Sequence, residues 1–103
     1  MEQQISIQNE YLWIYMPVEL DHIVAESIRK EVDVQMMQEP VEKIVFDFSK
    51  TKFMDSSGIG LVVGRYKKIQ CLGGEVLVVN ANKRVKKMFI MAGLKGFVRI
   101  IEE

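Results

Sequence analysis

Two adjacent hydroxyls and a carboxylate, Asp55-Ser56-Ser57, have the clearest capacity for chemistry in this chain. They lie between a strand-like run and a helix-like run, where a helix is expected to begin. The first four backbone amides of a helix have no partner within it, and the helix dipole adds partial positive charge there. Such a position accepts an anion, including a phosphate carried by a serine. The same residues also form an ordinary capping sequence, and spacing alone favours that plainer interpretation.

Two glycines, Gly58 and Gly60, follow the serines. Glycine in the first turn of a helix removes side chains, so another protein or a nucleotide can approach closely. Each glycine also lowers helix propensity by about 1 kcal/mol relative to alanine. Tight packing of a helix on a strand is the structural alternative for both positions.

An enzymatic interpretation would make Ser56 or Ser57 a nucleophile with His22, the single histidine, as its base. The Gly-x-Ser-x-Gly nucleophile elbow is absent, because Met54 and Asp55 occupy the leading glycine positions. No phosphate-binding Walker loop and no zinc-ligand spacing occur either. The sequence therefore predicts a protein that is not an enzyme, with no catalytic residue, no cofactor and no metal. His22 is expected at the surface beside a helix cap.

Composition limits the class of protein and its partners. The 103 residues predict one domain, 1–103, and the 14 basic residues balance the 14 acidic ones. No block of like charge favours nucleic acid or an acidic membrane as a partner. Cys71 is the only cysteine, which excludes a disulfide framework and suits a reducing compartment. Residues 1–4 lack a signal-peptide pattern, and no apolar run approaches the ~20 residues that span a bilayer, so a cytoplasmic location is expected.

Hydrophobic periodicity places the elements that position the serines. Extended runs are predicted at 5–8, 11–16, 43–48, 75–79 and 97–101. Three helices are predicted between them: one with the apolar stripe Ala25, Ile28, Val32 and Met36, one over 57–72, and one with the inner face Val85, Met88, Phe89 and Ala92. The short gap Asn9-Glu10 indicates a hairpin. The order predicts an α/β fold: a mixed sheet of four or five strands with an antiparallel edge and about three helices.

Local signals add finer expectations for these elements. Asp21 is a candidate N-cap residue for the first helix. Either Asn80 or Asn82 can be the N-cap residue of the third helix. Gly73-Gly74 is expected to end the second helix in the left-handed conformation. The run 11–16 is apolar at nearly every position, which predicts a strand covered on both faces. On the second helix, the predicted apolar face consists of Ile59, Val62, Val63, Tyr66 and Ile69, with Arg65 among the residues outside it.

Several stretches together resemble one known family. They are Glu19-Leu20-Asp21-His22, Val45-Phe46-Asp47-Phe48, Phe53-Met54-Asp55-Ser56-Ser57-Gly58-Ile59-Gly60, Gly64-Arg65-Tyr66-Lys67, Gly73-Gly74-Glu75, Val85-Lys86-Lys87-Met88-Phe89 and Ala92-Gly93-Leu94. The chain resembles the anti-sigma factor antagonists of the STAS domain family over essentially its whole length. Within that family it is most similar to the sporulation type, which antagonises the inhibitor of the forespore-specific sigma factor.

The resemblance implies a phosphorylation switch. The unphosphorylated antagonist would bind an anti-sigma factor that is also a serine kinase, and so free the sigma factor. Carried over to this chain, the kinase would modify Ser56, and a separate phosphoserine phosphatase would restore the active form. Asp21 matches an acidic position near the phosphorylation site that contributes to partner and nucleotide contacts, and Asp55 would orient the acceptor serine. The partner-binding residues implied are Asp21, Asp55, Ser56, Ser57, Gly58 and Ile59.

This chain departs from the family pattern in two places. Pro17-Val18 stands where the family usually has a glycine before Glu-Leu-Asp, which implies a stiffer loop. Many relatives also continue past the last strand into another helix, which this sequence lacks or has lost by trimming. A STAS module of another signalling pathway, such as a stress-response scaffold or a lipid-transport component, is the alternative function. The serine pair and Gly64-Arg65-Tyr66-Lys67 favour the sporulation type.

Overall fold

The computed structural model describes residues 4–102 as strands that alternate with helices. In chain order the elements are β1 (Gln4–Gln8), β2 (Tyr11–Tyr15), β3 (Glu19–Leu20), α1 (His22–Gln38), β4 (Lys43–Asp47), β5 (Phe53–Met54), α2 (Ser56–Gln70), β6 (Glu75–Val79), α3 (Lys83–Met91) and β7 (Arg99–Ile100). Residues 1–3, where the sequence predicts no signal pattern, and residue 103 lie outside the described part of the chain. Over residues 4–102, no helix combines the length and the apolarity needed to cross a bilayer.

The main sheet has five strands in the order β1-β2-β4-β6-β7. The β1–β2 pair is antiparallel, and the other neighbours pair in parallel. The predicted mixed sheet with an antiparallel edge is therefore confirmed, as are the three helices. The edge hairpin closes through Asn9 and Glu10, whose φ angles of 52° and 66° are both positive. A two-residue turn of that geometry follows the twist of the flanking strands.

One face of the sheet forms the floor of the hydrophobic core. Register places Leu12, Ile44 and Val76 in one row and Ile14, Phe46 and Val78 in the next, and all six are fully buried. All three helices contribute buried side chains to this same cluster: Ala25, Ile28 and Val32 from α1, Leu61, Val62 and Ile69 from α2, and Val85 and Phe89 from α3. Burial of this apolar surface is the main stabilising contribution to the fold.

The opposite face of the sheet corrects one expectation. Tyr11 and Tyr15 are each 40% exposed and Trp13 is half-buried, so β2 is not covered on both faces. The run is apolar because aromatic rings lie on this outer face, where their polar groups remain accessible. The Trp13 and Tyr15 rings lie 6.0 Å apart, and Trp13 Nε1 donates to Asp47 Oδ2 at 3.3 Å.

The helix ends follow the predicted caps closely. Asn82, rather than Asn80, caps α3, because its Oδ1 accepts the amide of Val85 at 2.8 Å. Gly73 takes the left-handed conformation after α2, with φ 80°. Helix α2 is shorter than predicted because residues 71–73 form a turn. Strand β7 is shorter than the predicted run 97–101 because the amide of Val98 still donates to the Leu94 carbonyl.

Candidate functional site

A second, two-stranded ladder brings the candidate residues together. Strand β3 pairs in parallel with β5, with Glu19 opposite Phe53 and Leu20 opposite Met54. The amide of Asp55 then donates to the Leu20 carbonyl at 3.2 Å. Because α1 and α2 follow these paired residues directly, the two helices begin side by side. Sequence reasoning missed this ladder, since strands of two residues are too short to show an alternating pattern.

The loop before β5 is braced against the loop before β3. The buried Thr51 hydroxyl donates to the Pro17 carbonyl at 2.7 Å, and the Lys52 amide donates to the Val18 carbonyl at 2.8 Å. From the other side, Asn82 Nδ2 donates to the Thr51 carbonyl at 3.1 Å. The Pro17-Val18 departure from the family pattern therefore lies in a segment whose backbone is fixed by hydrogen bonds.

Two aspartates cap the two neighbouring helices. Asp21 Oδ1 accepts the amide of Val24 at 2.9 Å, which confirms the predicted cap of α1. Asp55 Oδ1 accepts the amide of Ser57 at 2.8 Å at the start of α2. Capping carboxylates satisfy amides that have no partner within the helix. Their placement also puts two negative charges at the edge where the serines lie.

The two serines face different surroundings. Ser56 is the first residue of α2 and its side chain is exposed, whereas Ser57 is half-buried and lines a groove between α1 and α2. Ile59 is half-buried and packs against the hydrophobic core. The ladder thus brings Asp21, Asp55 and Ser56 to one edge of the domain, with Ser57 beside them.

The two glycines of the first turn also differ from each other. Gly58 is buried, and a Cβ atom built on it would lie 2.9 Å from Leu20 Cδ2 and closer still to Met54 Sδ. Gly60 is exposed and has open space at the corresponding position. The expectation that both glycines open the helix start to a partner is therefore corrected: Gly58 allows close packing, and only Gly60 leaves free space.

A family model for the STAS domain matches residues 2–103 of this chain. The chain belongs to the STAS domain family. This STAS domain is 35% identical over 96 residues to an anti-sigma F factor antagonist from Paenibacillus polymyxa, covering 91% of the chain and 82% of that relative.

Solved structures agree with membership of the STAS domain family. The STAS domain superposes on the anti-sigma factor antagonist SpoIIAA in its unphosphorylated form with a TM-score of 0.87, at 32% identity, covering 99% of this chain and 90% of that one. It also matches the phosphorylated form of the Bacillus cell fate determinant SpoIIAA, with a TM-score of 0.80 at 31% identity, covering 99% and 93% of the two chains.

Arg65 corrects the predicted face of α2 in this STAS domain. Its side chain is 6% exposed, and its Nε lies 3.1 Å from Asp33 Oδ1 on α1. Burial lowers the pKa of the Arg65 guanidinium, and the Asp33 carboxylate acts in the opposite direction. The buried residues of α2 are Gly58, Leu61, Val62, Arg65 and Ile69. Their spacing is helical, so the predicted stripe was displaced by about one residue around the helix.

An ion-pair network joins α1 to α2 around Asp33. Asp33 Oδ2 lies 3.3 Å from both Arg29 Nη1 and Lys68 Nζ, in addition to the Arg65 contact. Arg29 also forms a bidentate hydrogen bond with Glu26, in which Nε donates to Oε1 and Nη2 to Oε2, and this contact lowers the pKa of the Glu26 carboxyl and raises the pKa of the Arg29 guanidinium. These pairs fix how the two helices that begin at the site lie against each other.

Metal ligation finds no support in the arrangement of the described side chains. Across residues 4–102, no group of three or more histidine, cysteine, aspartate or glutamate side chains is placed to hold a metal ion. Cys71 is exposed at the end of α2, with its Sγ 3.5 Å from the Lys67 carbonyl.

Alanine substitutions at the two glycines are expected to have opposite effects on stability. Gly58→Ala should lower the free energy of unfolding by about 1–2 kcal/mol, because an added methyl overpacks Met54 and Leu20. Gly60→Ala should raise it by up to about 1 kcal/mol, because alanine favours the helix and meets no neighbour. Urea denaturation of both variants measures the difference. Equal stabilities would contradict the assigned packing role of Gly58.

Proposed function

We propose that this STAS domain is an anti-sigma factor antagonist that works by partner switching, with Ser56 as its phosphorylation site. In the unphosphorylated state it binds an anti-sigma factor and thereby releases the sigma factor. The observation that carries the proposal is the exposed Ser56 side chain at the start of α2, beside the capping carboxylates of Asp21 and Asp55. The identity to an anti-sigma F factor antagonist and the match to SpoIIAA support it.

The proposed switch is electrostatic. The anti-sigma factor acts as the serine kinase and adds a phosphate to Ser56, which brings a charge of about −1.5 to −2 and a hydration shell. In a docked complex that charge would have to lose water beside Asp21 and Asp55, whose carboxylates repel it. The complex therefore dissociates, and a phosphoserine phosphatase restores binding.

No refolding is required for this switch. A phosphate at the first residue of a helix is favoured by the helix dipole and by nearby backbone amides. SpoIIAA matches this fold in both its unphosphorylated and its phosphorylated form. Exposure of Ser56 also leaves its hydroxyl accessible to a kinase and a phosphatase without local unfolding.

The proposed docking surface consists of the exposed and half-buried residues at this edge: Asp21, Asp55, Ser56, Ser57 and Ile59. Gly58 supports it from below. Phe53 extends the surface, because it is 44% exposed and the guanidinium of Arg84 lies 5.9 Å from its ring centroid. A partly exposed aromatic side chain held by an arginine has the composition typical of an interface anchor.

Phosphorylation by the cognate anti-sigma factor tests the proposed acceptor. After incubation with the kinase and ATP, mass spectrometry should find one phosphate on Ser56 of the unaltered protein. Ser56→Ala should remain unmodified, whereas Ser57→Ala, the matched control, should be phosphorylated at Ser56. Modification of Ser57 instead, or none in the unaltered protein, would contradict the assignment.

A further inference from the structure

A groove that shares Ser57 with the proposed docking surface runs between α1 and α2. Its volume is about 230 Å³, and its lining includes His22, Glu26 and Arg29 from α1 and Ser57, Gly60 and Arg65 from α2. Small residues keep it open, since Gly60 presents no side chain and a Cβ there would meet no atom within 4 Å. The groove therefore has space for a small group.

The inner end of the groove holds a guanidinium with unused hydrogen-bonding capacity. Arg65 Nη1 is buried and has no hydrogen-bond partner among residues 4–102, and its Nε lies at ion-pair distance from Asp33 without hydrogen-bond geometry. A buried polar group without a partner costs about 1–3 kcal/mol, so folded proteins normally supply one. Arg65 itself lines the groove, but Nη1 and Nε have almost no surface open to it, so the guanidinium donates to a ligand there only after a shift of its side chain.

The local charge favours an anion. Three cations, Arg29, Arg65 and Lys68, share Asp33, and the remaining carboxylate, Glu26, is already bound bidentately by Arg29. The ion-pair cluster thus carries three positive and two negative side chains, and its excess of one positive charge includes Lys68, which lies outside the groove lining. A planar guanidinium matches the oxygens of a carboxylate or a phosphate, to which it donates strong charge-assisted hydrogen bonds.

We propose that this groove is an oxyanion-binding site that takes one phosphate or carboxylate group. An oxygen of the anion accepts from the Arg65 guanidinium, whose side chain shifts to present a donor to the groove, and the positive excess of the ion-pair cluster balances the charge of the anion. The open volume at Gly60 admits the rest of the ligand. Ser57 belongs both to this groove and to the proposed docking surface, so the site is tested with the unphosphorylated protein in the absence of any partner.

Titration with inorganic phosphate and, separately, with acetate tests the site by two-dimensional NMR. Sodium chloride at the same ionic strength is the reference, because general screening acts on every exposed charge. We expect saturable shifts at the amides of Ala25, Gly60 and Leu61 and at the Arg65 Nε–H signal. Saturation by phosphate alone assigns a phosphate group, and saturation by both probes extends the site to carboxylates. Linear shifts spread over the whole surface would overturn the proposal.

Three variants make the test specific to the groove. Gly60→Leu fills the space without altering any charge and should weaken binding by about tenfold or more, equivalent to about 1.4 kcal/mol. Gly64→Leu is the matched control, because Gly64 also has open space at its Cβ position but does not line the groove, and it should bind as the unaltered protein does. Arg65→Lys keeps the charge but loses the guanidinium fork, so affinity should fall about fivefold.

Thermal unfolding establishes that each variant is folded. Equal affinities of Gly60→Leu and the unaltered protein would refute the site.

Discussion

Ser56→Asp is expected to weaken binding to the cognate anti-sigma factor by about a hundredfold, which corresponds to about 2.7 kcal/mol. The added carboxylate lies beside Asp21 and Asp55 and must lose its hydration when the partner covers this edge. A single mismatched charge in a protein interface commonly costs about 2–5 kcal/mol. Ser56→Ala should bind as the unaltered protein does, and phosphorylation by the kinase should no longer abolish its binding.

Isothermal titration calorimetry with the anti-sigma factor and ADP measures these affinities. Ser6→Asp is the matched control, because it makes the same change in charge at an exposed position on β1, the edge strand of the main sheet. It should leave the affinity unchanged. Because a carboxylate mimics phosphate imperfectly, the Ser56-phosphorylated protein is measured as well, and tight binding by that form would refute the electrostatic switch.

A conformational mechanism makes a different prediction from the electrostatic one. If the phosphate acts by charge and hydration at the surface, the NMR spectra of the two forms should differ only near the starts of α1 and α2. Residues of the main sheet, such as Val45 and Leu77, should keep their chemical shifts. Widespread changes in the sheet would indicate that phosphorylation alters the fold.

Much of the site could be predicted from local sequence signals. Asp21 is a cap residue directly before an amphipathic run, and a carboxylate can satisfy the amides of a first helical turn regardless of what packs elsewhere. The hairpin at Asn9-Glu10 and the left-handed Gly73 are local in the same sense. Such features depend on the conformational preferences of a few consecutive residues, so the sequence is sufficient to place them.

The features that escaped prediction depend on contacts between distant segments. The β3–β5 ladder joins Glu19-Leu20 to Phe53-Met54, and neither two-residue strand has a pattern of its own. Arg65 is predicted to lie outside the apolar face of α2, but it is buried. Its burial depends on Asp33, which lies on a different helix. Gly58, Leu61, Val62, Arg65 and Ile69 have helical spacing, but a glycine and an arginine among them do not form a recognisable apolar stripe.

Removal of the Asp33 carboxylate is expected to destabilise the contact between α1 and α2 strongly. Asp33→Ala should lower the free energy of unfolding by about 3 kcal/mol, because it leaves the buried Arg65 guanidinium without a counter-charge. By contrast, Glu26→Ala removes a carboxylate that is 44% exposed, and such surface pairs contribute about 0–1 kcal/mol.

A double variant separates the cost of an unpaired charge from the net contribution of the pair. Asp33→Leu with Arg65→Met replaces both charges by apolar side chains of similar length, and buried ion pairs exchanged in this way are often neutral in stability or better. We therefore expect the free energy of unfolding of the double variant, measured by urea denaturation, to lie within about 1 kcal/mol of that of the unaltered protein. It should be well above the free energy of unfolding of Asp33→Ala. If the double variant lost as much stability as Asp33→Ala, the ion pair itself would be shown to stabilise the fold. A loss in Asp33→Ala no greater than in Glu26→Ala would mean that Arg65 is solvated in the groove and needs no counter-charge.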